Sequence, residues 1–184
     1  MNERIIAALI GAAVVALGWL INQRRDISQS QRRRRERVVD IQKAIRAEIK
    51  ALVEAPQNQD LAGSLERGLA RFDEETPDDP YLPFIPHEKH DTVFQALVSD
   101  IHLLPTETVE PVILYYNQTV AIGMMAHDLR TDMFAELDGP RRKKMLQRYM
   151  EMKIEAMRMG RIAIEALTDH ITRMNGLNKT DPVL

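Results

Sequence analysis

The chain contains no cysteine. That absence removes disulfides, thiolate nucleophiles, lipoprotein acylation and Cys-bearing zinc sites, and it agrees with a reducing compartment without requiring one. Serine is nearly as scarce: Ser28, Ser30, Ser64 and Ser99 are the only four, and none stands in a Gly-x-Ser-x-Gly elbow. No Gly-x-Gly-x-x-Gly or Gly-x-x-x-x-Gly-Lys loop is present to cradle a phosphate. None of the five histidines follows a glutamate by three residues, so the Glu-x-x-His pairs of di-iron bundles are missing. Strand-like alternation of any convincing length is missing too. These residues lead us to expect neither an enzyme nor a cofactor.

Proline and glycine are absent between Gly18 and Pro56. Both are strong helix punctuators, so a helix entering this stretch has no reason to stop before Ala55. What enters it is the one long uncharged run, Ile5 to Ile21 (IIAALIGAAVVALGWLI), which is 17 residues long. As a helix it would measure about 25 Å, at the short end for a hydrocarbon core of ~30 Å. Arg4 and Arg24 can snorkel outward, and Trp19 stands where an interfacial aromatic would. A secretory signal peptide would carry its positive charge before the run and a small-residue cleavage site after it. Here seven arginines follow instead: Arg24, Arg25, Arg32, Arg33, Arg34, Arg35 and Arg37. A buried helix of a soluble protein is the other alternative, because Ala and Gly dilute the hydrophobicity. The basic flank favours an uncleaved single-pass anchor with the N-terminus outside and the rest cytoplasmic. Ala7 and Gly11 lie four apart and Gly18 continues that face one heptad on, a spacing that lets two helices approach closely in lipid.

Charge is divided unevenly. Residues 1–37 hold eight Lys/Arg against three Asp/Glu, a net of +5, and the remainder holds 17 against 24, a net of −7. The basic segment reads as a collar against anionic headgroups, worth about 1 kcal/mol per basic residue near the surface. With an acidic body and only four Phe and four Tyr, nucleic acid is not an expected partner. The bilayer, a second copy of the chain, and a membrane or cytosolic protein are.

The helical periodicity is clear along most of the chain. Val38, Ile41, Ile45, Ile49 and Leu52 form one apolar stripe, and Leu61, Leu65, Leu69 and Phe72 form another. Pro77, Pro80, Pro83 and Pro86 recur every three residues, which predicts an extended, polyproline-like strap. Asp91 is placed to cap a helix whose broad apolar face runs from Val93 through Phe94, Leu97, Val98 and Ile101 to Leu104. After Pro105, Thr106 or Thr108 opens another helix toward Leu129 or Leu137, with Pro111 tolerable only in its first turn. Asp138 is the N-cap of the last helix. Its face, Met145, Tyr149, Met152, Ala156, Met159, Ala163, Leu167, Ile171 and Met174, ends at Asn175-Gly176.

These elements predict an all-α protein: a single N-terminal transmembrane helix continuing into a stalk, followed by an antiparallel helical bundle. The expected divisions are 1–4 outside, 5–21 in the membrane, 22–37 as basic stalk, 38–174 as cytosolic bundle and 175–184 as tail. Residues 22–55 would form one rod of about 50 Å if fully helical, joining the anchor rigidly to the bundle.

Few residues suggest chemistry. Five of ten methionines lie between Met145 and Met159. Their spacing follows the helix stripe, so core packing is the first reading and an interaction stripe of Met145, Tyr149, Met152 and Met159 the sharper one. His87 and His90 are weak metal candidates, since their separation of three misses the His-Glu-x-x-His spacing of a zinc helix. Arg141, Arg142, Lys143 and Lys144 open the last helix at the end where its dipole disfavours cations; they read as a solvated face or as a second contact with the membrane. Three functions are compatible with these residues. The first is a membrane-anchored interaction or regulatory module. The second is a small-ligand sensor with a pocket near Tyr115, Tyr116 and His127. The third is a membrane-active effector that assembles through its span.

Overall fold

The computed structural model describes the backbone of residues 3–55, 58, 60–76, 79–87 and 91–180, and side chains throughout these except 3–18, 20–28 and 177–180. Six α-helices are present: α1 (Glu3–Val53), α2 (Leu61–Asp73), α3 (Thr92–Leu97), α4 (Thr106–Asp128), α5 (Asp132–Ala135) and α6 (Gly139–Thr180). A 3₁₀ turn, Val98–Leu103, follows α3. Among the described residues there is no strand, only an isolated bridge between Thr76 and Asp79. The chain divides into two compact units, Met1–Asp40 and Ile41–Leu184.

In the first unit the backbone is helical from Glu3 onward. Arg32 pairs with Glu36 at 2.9 Å across one helical turn, both exposed. Such a pair is worth a few tenths of a kcal/mol. Among the described residues no helix is long and apolar enough to cross a membrane. The run 5–21 lies outside the described side chains apart from Trp19, which is exposed.

The second unit is a bundle organised by α6. Gln42 and Arg46 of α1 bond to His170 and Thr168 of α6, whereas a side chain at Gly160 would meet Val53. Rising numbers on α1 therefore meet falling numbers on α6, and the two run antiparallel. The same holds for α4, where Glu107 reaches Arg173 and Gln118 donates to the Met152 carbonyl, and for α2, where Gly68 faces Leu146 and Asp73 holds Lys143. Ile41, Ile45 and Ile49 are buried from α1, and Val112, Tyr115 and Tyr116 from α4. Ala156, Ala163, Leu167 and Ile171 are buried from α6, the face that the heptad-like spacing marks. Gly160 permits a close crossing: a Cβ there would lie 2.6 Å from Val53 Cγ2 and 3.0 Å from Tyr115 Cε2.

Capping residues account for several boundaries. Asp60 accepts from the Gly63 N–H at 3.1 Å and opens α2, and Asp138 accepts from the Arg141 N–H at 2.9 Å and opens α6. The proline segment is irregular over its described residues. Ile85 is buried, and Tyr81 sits edge-on to Phe72 with ring centres 4.9 Å apart.

The structure corrects four expectations. First, the helix after Asp91 is α-helical for only six residues, and neither it nor the 3₁₀ turn buries a side chain; Val98 is exposed. Asp91 makes no capping bond. The Glu48 carboxylate of α1 takes the Val93 and Phe94 N–H groups, at 2.6 and 3.0 Å. Second, Pro111 lies in the second turn of α4, where its fixed φ is helical and only one backbone bond is lost. Third, of the two ends expected for α4 the one at Leu137 fails: the helix closes at Asp128 with Leu129 as its C-cap, and α5 forms a separate short turn. Fourth, α6 runs through Asn175-Gly176 to Thr180, because no glycine among the described residues takes a positive φ. Without a left-handed residue the helix lacks the terminator that Gly so often supplies.

Candidate interaction surfaces

The buried polar groups are the first place to look for chemistry. Gln42, Thr108 and His170, from α1, α4 and α6, form a relay inside the bundle. His170 Nδ1 meets Gln42 Oε1 at 2.8 Å, and Gln42 Nε2 donates to Thr108 Oγ1 at 3.3 Å. Thr108 Oγ1 in turn donates to the Pro105 carbonyl at 2.9 Å. An amide oxygen only accepts, so Nδ1 must carry the proton. Each link is satisfied, and the relay registers three helices against one another.

Burial lowers the pKa of His170 below its ordinary value, with Arg173 acting in the same direction and Glu107 against it. The unfolded chain therefore binds more protons than the folded one below about pH 6.5, and stability rises with pH through that window. The contribution is complete above the unfolded value and is lost as pH falls through the folded one. A single site limits the slope to about 1.4 kcal/mol per pH unit. Melting of the full chain between pH 5 and 7.5 should thus steepen toward acid, and His170→Gln, which keeps a donor for Gln42, should flatten the profile. An unchanged slope in His170→Gln would show that His170 does not carry the acid sensitivity.

A second polar centre joins α1, α3 and α4. Besides the two N–H groups of α3, Glu48 accepts from the Tyr116 hydroxyl at 2.6 Å, and Phe94 stacks on the Tyr116 ring with centres 3.9 Å apart. Burial first, and then the neighbouring carboxylate, hold the Tyr116 phenol far above its ordinary range.

Tyr115 and Tyr116 are both buried, whereas His127 is exposed. The cavity beside Tyr115 measures about 20 Å³, room for one water. Tyr115 lines that cavity, and Tyr116 and His127 do not. Tyr149 belongs to the core cluster, with Met145 and Met152 packed against it, and Met159 is half-buried. Tyr149 is thus interior, while the three methionines of that stripe are only partly buried. His87 is exposed, His90 lies outside the described residues, and no group of three metal-ligating side chains occurs among the described residues. Arg33, Arg34, Arg35 and Arg37 are exposed, as is Arg32; the side chains of Arg24, Arg25, Ala7, Gly11 and Gly18 lie outside the description.

The basic cluster at the start of α6 is partly interior. Arg142 is buried and donates to Glu75 Oε2 at 2.9 Å, the same oxygen that takes the Tyr81 N–H at 3.2 Å. Lys143 pairs with Asp73, and Arg141 with Asp138. These residues fasten the end of α2 and the start of the proline strap to α6. Arg142 is therefore no part of a solvated face, whereas Arg141 and Lys144 are exposed.

Several apolar side chains are left exposed, among them Ile113, Leu114, Val120 and Met124 of α4, besides single residues such as Val98, Met133, Ile154 and Ile162. On the strap, Leu82 and Phe84 project, Phe84 to 90% of its accessible surface. Phe84 separates two hollows, of about 230 Å³ toward α2 and α6 and about 450 Å³ toward α5. The α4 exposure could have been read from the sequence, because that helix carries apolar residues on more of its circumference than one buried stripe needs. The Phe84 exposure could not, since polyproline-like chain has no fixed inward face. Comparisons with protein families, with curated proteins and with solved structures find no match.

Proposed function

We propose that this chain is a single-pass membrane protein whose cytoplasmic helical bundle works as an interaction or regulatory module. The observation that carries the reading is the uncharged run Ile5–Ile21 followed directly by seven arginines. Support for the interaction part comes from Phe84, Leu114, Val120 and Met124, which remain exposed on the bundle. Exposed apolar residues clustered on one element mark contact surfaces. The mechanism is positional: a tether confines the bundle to a surface and raises its effective concentration for a membrane-bound partner by an amount that chain geometry sets. The arginine collar adds attraction to anionic headgroups. Ala7, Gly11 and Gly18 offer a face for pairing two spans.

Carbonate extraction of cells expressing the full chain tests the anchor. Wild type should stay with the membrane pellet, and Leu9→Arg with Val14→Arg should move it to the supernatant. Each arginine at a span centre costs roughly 2.5–3.5 kcal/mol. Equal extraction of both proteins would end the reading.

A further inference from the structure

We propose that a second copy of this chain docks antiparallel along the exposed face of α4. Glu110, Ile113, Asn117, Val120, Met124 and His127 follow one another at steps of three, four, three, four and three. At 3.6 residues per turn they fall within an arc of about 100°, and every one of them is exposed. The helix meets its own chain on the opposite face, through Thr108, Val112, Tyr115, Ile122 and Ala126, which are buried. Steps that alternate between three and four are the a and d positions of a two-helix seam, here turned to solvent. A second helix also has room to approach: nothing lies within 4 Å of where a Cβ at Gly123, on the flank of the stripe, would stand.

The order of the stripe identifies the occupant. Its spacing reads the same in both directions about a point midway between Asn117 and Val120. A second copy turned end for end therefore presents matching positions, the self-complementarity that a two-fold contact requires. In that register Ile113 lies beside the partner's Met124, and Glu110 at one end lies beside the partner's His127 at the other. Asp128 comes alongside the partner's Glu107, whose charge Arg173 already offsets at 3.4 Å. Parallel pairing would instead set Glu110 against Glu110, and α4 contains no Lys or Arg to relieve that repulsion. Asn117 stands next to the dyad, about 4.5 Å along the axis from its own counterpart, so the two amides can bond. A polar residue at such a position fixes register at some cost in stability. The bilayer is the poorer occupant, because a helix lying on lipid carries Lys and Arg on its polar face and this one carries Glu110 and Asp128. One helix pair is small beside the ~800 Å² per partner of a standard interface, so the contact is reversible and is best detected by trapping. The inference names the partner of the contact surface proposed above and rests on that part of the reading, not on the anchor.

Because the chain has no cysteine, every thiol cross-link reports an introduced position. Two differently tagged full chains, one Ile113→Cys and the other Met124→Cys, are co-expressed and treated in permeabilised cells with a short ethylene-bridged bismaleimide. The mixed pair should be joined about tenfold more than chains carrying Met133→Cys, an exposed position on α5. Ile113→Cys or Met124→Cys expressed alone should stay at that background, since equivalent thiols are then about 16 Å apart along the axis. Val120→Glu in both chains should return the mixed pair to background while leaving the melting curve in place, because Val120 is exposed. Glu110→Lys should lower the yield severalfold, and His127→Glu in the same chain should restore it. Linking of like with like in either single variant, a Val120→Glu pair that links as its parent does, or a mixed pair no better joined than the Met133→Cys control would each overturn the proposal. Cross-linking is read between tags and the anchor in the carbonate pellet, so failure of one leaves the other standing.

Discussion

Arg142→Met is expected to lower stability by about 3 kcal/mol, the lower end of the 3–5 kcal/mol typical when one partner of a buried pair is removed. In a chain of this size that is roughly 6–12 °C of melting temperature. The cost comes from what remains. Arg142 and Glu75 are 7% and 15% exposed in their side chains, so Glu75 would be left as a buried carboxylate still accepting from the Tyr81 N–H. That residual bond and the small exposure place the estimate at the low end. Arg142 also gives up its contact with the Ala135 carbonyl, at 3.3 Å. Adding Glu75→Gln should recover most of the loss, because glutamine is neutral and still accepts from Tyr81. Thermal melts of wild type, both single variants and the double form the cycle. Strictly additive losses would show that the two side chains do not act as a pair.

Glu48→Ala should cost roughly 2–4 kcal/mol. Three donors reach this carboxylate, and bonds to a charged group are worth about 1.5–3 kcal/mol each. The sum is discounted because Glu48 is half-exposed and water can replace part of what is lost. The damage should be local. No residue of α3 or of the following 3₁₀ turn is buried, so this carboxylate and the stacking of Phe94 on Tyr116 are what dock the segment. Amide exchange at residues 93–103 should accelerate well before the rest of the bundle opens, and Tyr116 should ionise at lower pH than in wild type. Glu48→Gln keeps an acceptor and should fall between the two. Unaltered exchange at Val93 and Phe94 in Glu48→Ala would remove Glu48 from this role.

Much of the architecture was legible because it is local. The stripes Ile41–Ile45–Ile49 and Leu61–Leu65–Leu69–Phe72 repeat with the period of the helices they occupy. Asp60 and Asp138 sit next to the N–H groups they cap, and proline every third residue cannot be helical. The misreadings share a cause. The stretch from Val93 to Leu104 has an apolar helical period, yet a carboxylate 45 residues earlier in the chain holds its first turn. Asn175-Gly176 resembles a stop, but glycine permits a left-handed φ without requiring it. The candidate sites were less legible still. Arg142 sits in a run of four basic residues, and only its burial against Glu75 distinguishes it from Arg141 or Lys144.

Composition and periodicity by themselves determined the helical class, the boundaries set by adjacent caps and prolines, and the separation of a basic N-terminal segment from an acidic body. Each of these follows from interactions between residues a few positions apart or from counting charges. The tertiary structure alone decided how polar side chains pair: Gln42 with His170, Glu48 with α3, and Arg142 with Glu75. Their partners lie tens of residues away in the chain, and burial, which sets the strength of every one of these contacts, is a property of neighbours in space.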